Sequence, residues 1–435
     1  MDPGAPHIVI IGGGFGGIAA ARALKRAPVR LTMVDRRNHH LFQPLLYQVA
    51  TAALNPADIA SPIRRILRRQ RNASVILGEA SSIDTRQKIV QLLDGEVAYD
   101  FLIVASGATH SYFGHEEWLE PAPGLKTLED AVEIRRRVLV AYEAAEREVD
   151  AAEVANWMTF VVIGGGPTGV EMAGALAEIS RRVLERDFRK IDPGNARIIL
   201  IEAGPKVLPA MSPESSASAR RQLERLGVEV ITDSPVTAVD DRGVVHGGTR
   251  LDSRTVIWAA GVAASPLGKT LGADVKLDRA GRVIVNQDLS VPDADGVFVI
   301  GDLASIKSDG KPVPGLSPAA MQEGRHAAKN IVRLIRGEPT LPFHYRDKGT
   351  LATIGKAAAV ADIAGLHLSG LVAWLMWLFV HLLFLIGFRN RFIVIVEWAW
   401  TYVRNDRGAR LITGDVEPLL ERGEKSKNPD RMLSK

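Results

Sequence analysis

The sequence predicts an α/β protein that carries one supersecondary unit twice and ends in a long apolar region. Three observations predict this. Two glycine-rich turns each follow a short apolar run, an acid closes the next apolar run after each turn, and residues 366–388 and 392–403 are two apolar stretches separated by Arg389, Asn390 and Arg391. A chain of 435 residues exceeds one compact core and implies two or three domains.

The first unit begins with residues 7–11 (HIVII), which pass at once into a turn holding Gly12, Gly14 and Gly17. The alanine-rich residues 18–24 predict a helix, and residues 29–34 (VRLTMV) predict a second strand ending at Asp35. The same order returns later. Residues 160–163 (FVVI) precede Gly164, Gly166 and Gly169; a helix runs from residue 170 to about 184; and the strand 197–201 (RIILI) ends at Glu202. A repeated strand, glycine turn, helix and strand predicts two Rossmann-like dinucleotide-binding domains. Three further apolar runs end in small residues, as buried parallel strands do when their carboxyl ends face a ligand. Residues 101–104 (FLIV) lead to Ala105, Ser106 and Gly107, residues 255–258 (TVIW) to Ala259, Ala260 and Gly261, and residues 297–300 (VFVI) to Gly301 and Asp302. Residues 127–149 predict a charged helix joining the two units. Arg135, Arg136 and Arg137 on it read as a solvated face, as do Arg64, Arg65, Arg68 and Arg69.

Both turns are spaced G-x-G-x-x-G. The first glycine permits a tight turn, the second lets backbone approach a pyrophosphate, and the third allows close helix–strand packing; the helix start supplies N–H donors. One such turn alone is equally a structural connection, but two in the same context predict two bound dinucleotides. Asp35 and Glu202 are placed for ribose hydroxyls, and an acid there disfavours a 2′-phosphate, so NADH is expected over NADPH. Glu202 follows its turn by more than the usual ~20 residues, and residues 181–195 absorb the surplus as longer helix plus loop. The N-terminal unit, paired with the late Gly301–Asp302, is expected to hold FAD, with Asp302 at the ribityl or phosphate region. The second unit is then an inserted NADH domain. The expected boundaries are 1–120 and 281–340 for the two parts of the FAD-binding domain, 155–280 for the NADH-binding domain, and 341–435 for the C-terminal region.

Composition narrows the chemistry. A 46% hydrophobic and 24% charged chain is globular, and a net charge of +4 without basic residues interleaved with aromatics predicts no nucleic-acid partner. The absence of cysteine removes disulfides, thiolate metal sites, iron–sulfur clusters and any dithiol relay, and no metal site is expected. No charged-then-apolar leader precedes the first strand, so folding in the cytoplasm is expected.

Residues 12–17 with Asp35, 42–49 (FQPLLYQV), 105–108 (ASGA), 164–171 (GGGPTGVE), 259–262 (AAGV), 301–302 and 314–324 (PGLSPAAMQEG) together resemble the two-dinucleotide flavoproteins of glutathione-reductase-like FAD/NAD(P)-binding fold. Within them the chain resembles the type II NADH:quinone dehydrogenases along its whole length. The 42–49 and 314–324 stretches and the apolar C-terminal region carry that narrower likeness. The resemblance implies hydride transfer from NADH to FAD and two electrons to a membrane quinone. It also implies a peripheral or monotopic place on the cytoplasmic face of the plasma membrane, with a homodimer left open. It places Gln48 and Val49 near the isoalloxazine and a helix starting at Ala319 near the flavin's pyrimidine end. Gln322 matches the second glutamine of a quinone-site motif whose first glutamine is here Pro318, which has no donor to offer. Glu171 matches a glutamate near the flavin that binds substrate or relays protons. Its place one turn into a helix is expected to lower its pKa and favour the charged form. The cofactor carries the redox chemistry, so neither a general base nor a covalent nucleophile is expected.

The C-terminal run admits three readings: a transmembrane helix, a buried core helix, or a monotopic anchor in one leaflet. Trp374, Trp377, Trp398, Trp400 and Tyr402 suit a bilayer interface, and Arg389, Arg391, Arg404, Arg407 and Arg410 suit anionic lipid headgroups. His381 reads as a satisfied interfacial histidine or a group facing the quinone. One apolar segment builds no polar path through a bilayer, so proton pumping is not expected. Two other functions fit the glycine turns: a soluble NADH-dependent reductase of a ferredoxin or small oxidant, and a non-catalytic redox sensor that keeps FAD and NAD as structural ligands.

Overall fold

The computed structural model describes residues 4–185, 187–404, 407–416 and 419. Its chain divides into two compact units. The first comprises Met1–Leu41, Ala60–His110 and Val262–Lys348, and the second Phe42–Ile59, Ser111–Gly261 and Gly349–Lys435.

The first unit is built on a five-stranded parallel sheet in the order Val297–Val299, Phe101–Val104, His7–Ile11, Arg30–Asp35, Ala73–Leu77. Ile8, Val9 and Ile10 are fully buried, as a central strand covered on both faces requires. The chain enters the Phe15–Ala23 helix from this strand, and the sheet has neighbours on both sides of it. That is the switch point where a doubly wound sheet leaves a crevice at its carboxyl end. The long Ser317–Ile335 helix lies against the Phe15–Ala23 helix with almost no gap. A Cβ on Gly324 would stand 2.2 Å from the carbonyl oxygen of Gly16, so both residues must be small.

The second unit repeats the plan with a four-stranded parallel sheet, Val228–Ile231, Arg197–Ile201, Thr159–Ile163, Thr255–Trp258. The charged helix spans Leu128–Arg147 and starts in a reciprocal capping box between Thr127 and Asp130. Arg135 on it is buried, which corrects the reading of residues 135–137 as one solvated face. Arg136 and Arg137 pair with Glu133 instead of facing water unpaired. The second glycine-turn helix is Pro167–Glu178, followed by one π-helical turn, Ile179–Val183. A three-stranded meander, Thr350–Gly355, Ala358–Ile363 and Leu366–Ser369, packs on it. Contact is close enough that a Cβ on Gly174 would lie 1.8 Å from the Ile354 carbonyl oxygen.

The C-terminal apolar run is not one helix. Residues 366–369 are strand, the first helix is Gly370–Phe384, and the second is Phe388–Arg404. Gly387 separates the helices at φ +99°, a conformation that side chains disfavour. Arg391 bonds the Leu383 and Leu385 carbonyls left open at the first helix's end. No helix among the described residues is long and apolar enough to cross a membrane, which corrects the spanning reading. Trp374, Trp377 and Trp398 are buried within the unit and only Trp400 of the four is exposed. The side chains of Arg389, Tyr402 and Arg404 lie outside the described residues.

Candidate active site

The two turns have the same internal construction. At the first, a Cβ on Gly12 would meet the Ala105 carbonyl oxygen at 2.3 Å, and one on Gly17 would meet the Gly12 carbonyl oxygen at 1.9 Å. At the second, a Cβ on Gly164 would lie 2.7 Å from the Ala260 nitrogen, and one on Gly169 would lie 1.8 Å from the Gly164 oxygen. The middle glycines differ. A Cβ on Gly14 or Gly166 would have nothing within 4 Å. Packing therefore explains the outer glycines and not the middle ones, which border open space.

Each acid braces its own turn. The Asp35 carboxylate accepts from the Gly13 N–H at 2.5 Å and the Arg37 N–H at 2.7 Å. The Glu202 carboxylate accepts from the Gly165 N–H at 2.5 Å and the Gly204 N–H at 2.7 Å. Gly14 and Gly166 are the N-caps of the helices that follow, and neither helix has a side-chain cap. Those first-turn N–H groups thus remain available for an anion. Lys206, near Glu202, donates to the Met211 carbonyl.

The first sheet gathers the remaining residues predicted for that turn. Ala105 donates to the Ile11 carbonyl, which sets Ala105, Ser106 and Gly107 beside Gly12. The Ser106 Oγ is buried with no hydrogen-bond partner among the described residues, the condition of a polar atom meant for a ligand. Pairing of Val297–Val299 with Phe101–Val104 carries Gly301 and Asp302 to the same carboxyl edge. Ala319 is buried near the start of the Ser317–Ile335 helix, whose N-cap, Leu316, supplies no side-chain bond. Gln322 exchanges bonds with the Arg346 backbone, accepting at 3.0 Å and donating at 3.1 Å, and also donates to the Pro318 carbonyl.

Two buried groups here escaped the sequence reading. His40 donates from Nδ1 to the Gly13 carbonyl at 2.9 Å, and burial lowers its pKa to about 4, so it stays neutral. Glu323 accepts from the Gly301 N–H at 2.5 Å and is pushed up to about 7 by burial. An adjacent histidine pair soon after the strand-end acid, and a glutamate beside Gln322, were the only signals the sequence held for them.

In the second unit, Ala259 donates to the Ile163 carbonyl and so brings Ala260 and Gly261 beside Gly164. A separate narrow cleft in this unit is lined by Tyr47, Gln48, Glu171, Thr353, Trp398 and Arg407 among others. Gln48 is held at both ends: Trp398 Nε1 donates to its Oε1 at 2.7 Å, and its Nε2 donates to the Tyr47 hydroxyl at 2.9 Å. Val49 is fully buried in the Leu46–Ala50 helix. Burial raises the pKa of Glu171 to about 8 against the opposing bond from the Thr353 backbone. The expectation of a lowered value is therefore overturned, because desolvation outweighs the helix field.

The C-terminal arginines also differ from expectation. Arg407 is buried, donating to the Thr51 carbonyl at 2.8 Å and pairing with Glu178 at 3.4 Å. Arg410 pairs with Asp187, and Arg391 is held by the helix-end carbonyls. These three serve the unit itself and not a headgroup layer. His381 donates to the Trp377 carbonyl, stacks on that ring at 4.3 Å, and is held near pKa 4 by burial, so it is a satisfied neutral histidine.

Two parallel sheets, each with an open-centred glycine turn braced by an acid, define an oxidoreductase built to hold two dinucleotides. A family model described as pyridine nucleotide-disulphide oxidoreductase matches residues 6–324, and one described as the NDH2 C-terminal domain matches residues 348–404. The chain is 46% identical, across 95% of itself and 90% of the relative, to a type II NADH:quinone oxidoreductase of Mycobacterium tuberculosis. It is 30% identical to another from Staphylococcus aureus, across 83% of itself and 91% of that protein. Its fold matches that of NDH2 from Plasmodium falciparum in complex with NADH, at TM-score 0.86 and 20% identity, covering 94% of this chain and 100% of the other. The chain belongs to the type II NADH:quinone oxidoreductases, within the pyridine nucleotide-disulphide oxidoreductase family.

Proposed function

We propose that this chain is a non-proton-pumping, FAD-dependent NADH dehydrogenase that reduces a membrane quinone. The observation that carries the reading is the pair of open-centred turns, each with an uncapped helix start and an acid that accepts from one N–H of the turn, Gly13 or Gly165. The first unit holds FAD through Gly12, Gly14, Gly17 and Asp35, with Ala105, Ser106, Gly107, Gly301, Asp302 and Ala319 completing the cradle. The second holds NADH through Gly164, Gly166, Gly169, Glu202, Ala260 and Gly261. The buried, unpartnered Ser106 Oγ and the empty space over Gly14 fit such a ligand. Bound FAD supplies an acceptor for hydride and a donor of the electron pair.

What the chain itself supplies is orientation and a proton. Glu171, with its pKa raised to about 8, carries a proton at neutral pH in the cleft beside Gln48 and Tyr47. Quinone reduction by hydride equivalents takes up one proton beyond the hydride, and a neutral carboxyl is the group that holds one. Gln48 lines that cleft, and Val49 is buried in the same short helix. Gln322 pins residue 346 to the helix start and shapes the acceptor side of the first unit. Membrane docking is supported by two exposed apolar stripes: Leu371, Leu375, Phe379 and Leu383 on the first C-terminal helix, Phe392, Ile395, Val396 and Trp400 on the second. Such stripes fit a monotopic, peripheral attachment at the cytoplasmic face of the plasma membrane. Assembly as a homodimer belongs to the same reading, and sedimentation velocity tests it.

The deciding experiment is stopped-flow reduction of the flavoprotein by NADH, followed by mixing with menaquinone and ubiquinone analogues. Rapid flavin reduction and quinone-dependent reoxidation are expected, with Gln322→Leu slowing reoxidation more than reduction. A reduced flavin that no quinone reoxidises would refute the function, and equal slowing of both half-reactions would refute the role of Gln322.

A further inference from the structure

A second charged feature stands apart from both turns. Residues 59–78 hold five arginines and no acidic residue, and residues 12–34 hold Arg22, Lys25, Arg26 and Arg30, again with no acid. Arg64, Arg65, Arg68, Arg69 and Arg71 are all exposed, as are Arg22, Lys25 and Arg26. None of these eight pairs with an acidic side chain among the described residues. Elsewhere the chain pairs its exposed arginines readily, as Arg197 with Glu229 and Arg250 with Asp240.

The patch is held in a fixed presentation. Ile63, Leu67 and Gln70, at helical spacing, are buried and turn the intervening arginines outward. The Gln70 amide donates to the Ala21 carbonyl at 2.8 Å, and the Asn72 amide donates to the Leu24 carbonyl at 3.0 Å. These bonds set residues 64–71 against the end of the helix that carries Arg22 and the 3-10 turn Leu24–Arg26 that carries Lys25 and Arg26, so the two basic segments form one surface within the first unit. Concentrating like charge this way is unfavourable in the free protein. A polyanionic surface that neutralises several cations at once offsets it.

We propose that this arginine patch is a docking surface for the anionic headgroups of a phospholipid bilayer. The inference rests on the membrane reading above and names the site through which lipid charge would act. Of the C-terminal arginines that the sequence offered for that task, the three with described side chains, Arg391, Arg407 and Arg410, are spent internally.

The test is flotation of the flavin-loaded full chain with vesicles of phosphatidylcholine alone and of phosphatidylcholine containing phosphatidylglycerol, at low and high salt. Wild type is expected to bind both, with an anionic gain that salt removes. The variant Arg64→Gln/Arg65→Gln/Arg68→Gln/Arg69→Gln should keep its binding to neutral vesicles and lose about tenfold or more of the anionic gain. The matching lysine variant should retain the gain, since charge and not arginine geometry is at issue. Retention of the full gain by the glutamine variant would overturn the proposal, as would equal loss on both vesicle types. Wild type that binds anionic vesicles through the patch but ignores neutral ones would sustain the patch and refute docking by the apolar stripes.

Discussion

Alanine at Gly169 and at Gly166, three residues apart in one turn, should fail in different ways. A Cβ at position 169 would lie 1.8 Å from the Gly164 carbonyl oxygen. Ordinary contact between such atoms is about 3.5 Å, so helix and strand would have to separate by roughly 1.7 Å. Overpacking of that kind costs about 3 kcal/mol or more, and the melting temperature of Gly169→Ala should fall by several degrees. Position 166 has φ −70°, which alanine adopts freely, and open space around it. Its folding stability should therefore change by no more than about 0.5 kcal/mol. The same methyl intrudes where backbone meets the pyrophosphate. Loss of one charge-assisted hydrogen bond is about 1.5 to 3 kcal/mol, which raises the NADH concentration for half-maximal flavin reduction roughly tenfold or more. Thermal melts and stopped-flow flavin reduction over a range of NADH measure the two quantities separately. The reasoning fails if Gly166→Ala unfolds as early as Gly169→Ala, or if it takes NADH as wild type does.

Glu171 makes a pH prediction. Its folded pKa lies above the unfolded one, so the native state holds this proton more tightly. Its contribution is fully present below about pH 4.5 and is lost as pH rises through about 8. Melting temperatures of wild type should fall across that window relative to Glu171→Gln, and parallel curves would refute the buried neutral carboxyl. Glu202→Ala removes the acceptor of two short N–H bonds and the charge that opposes a 2′-phosphate. It should weaken NADH and narrow the preference over NADPH in kcat/KM by about tenfold; an unchanged ratio would show that discrimination lies elsewhere.

Much of this molecule was legible in the order of its residues. The turns could be read because their requirements are local: a positive φ at Gly12 and Gly164, and helix–strand contact at Gly17 and Gly169, admit glycine alone. The buried parallel strands were equally plain, since a run such as residues 7–11 leaves no polar face for water. Roles that depend on surroundings were not legible. Arg407 and Arg64 are alike in sequence, yet one is buried against Thr51 and Glu178 while the other faces solvent. An apolar run of residues 366–388 looked long enough to cross a bilayer until Gly387 and a strand divided it.

The sequence by itself determined that there are two dinucleotide turns, which acid belongs to each, and that no thiol takes part. Only the tertiary structure decided which arginines remain free, that Gln48 is clamped by Trp398, and that Glu171 keeps its proton at neutral pH. The physical reason is range. Backbone sterics and helix dipoles act over a few residues and leave their mark in a motif. Desolvation and ion pairing sum over neighbours that the chain brings from far apart, and no local spacing records them.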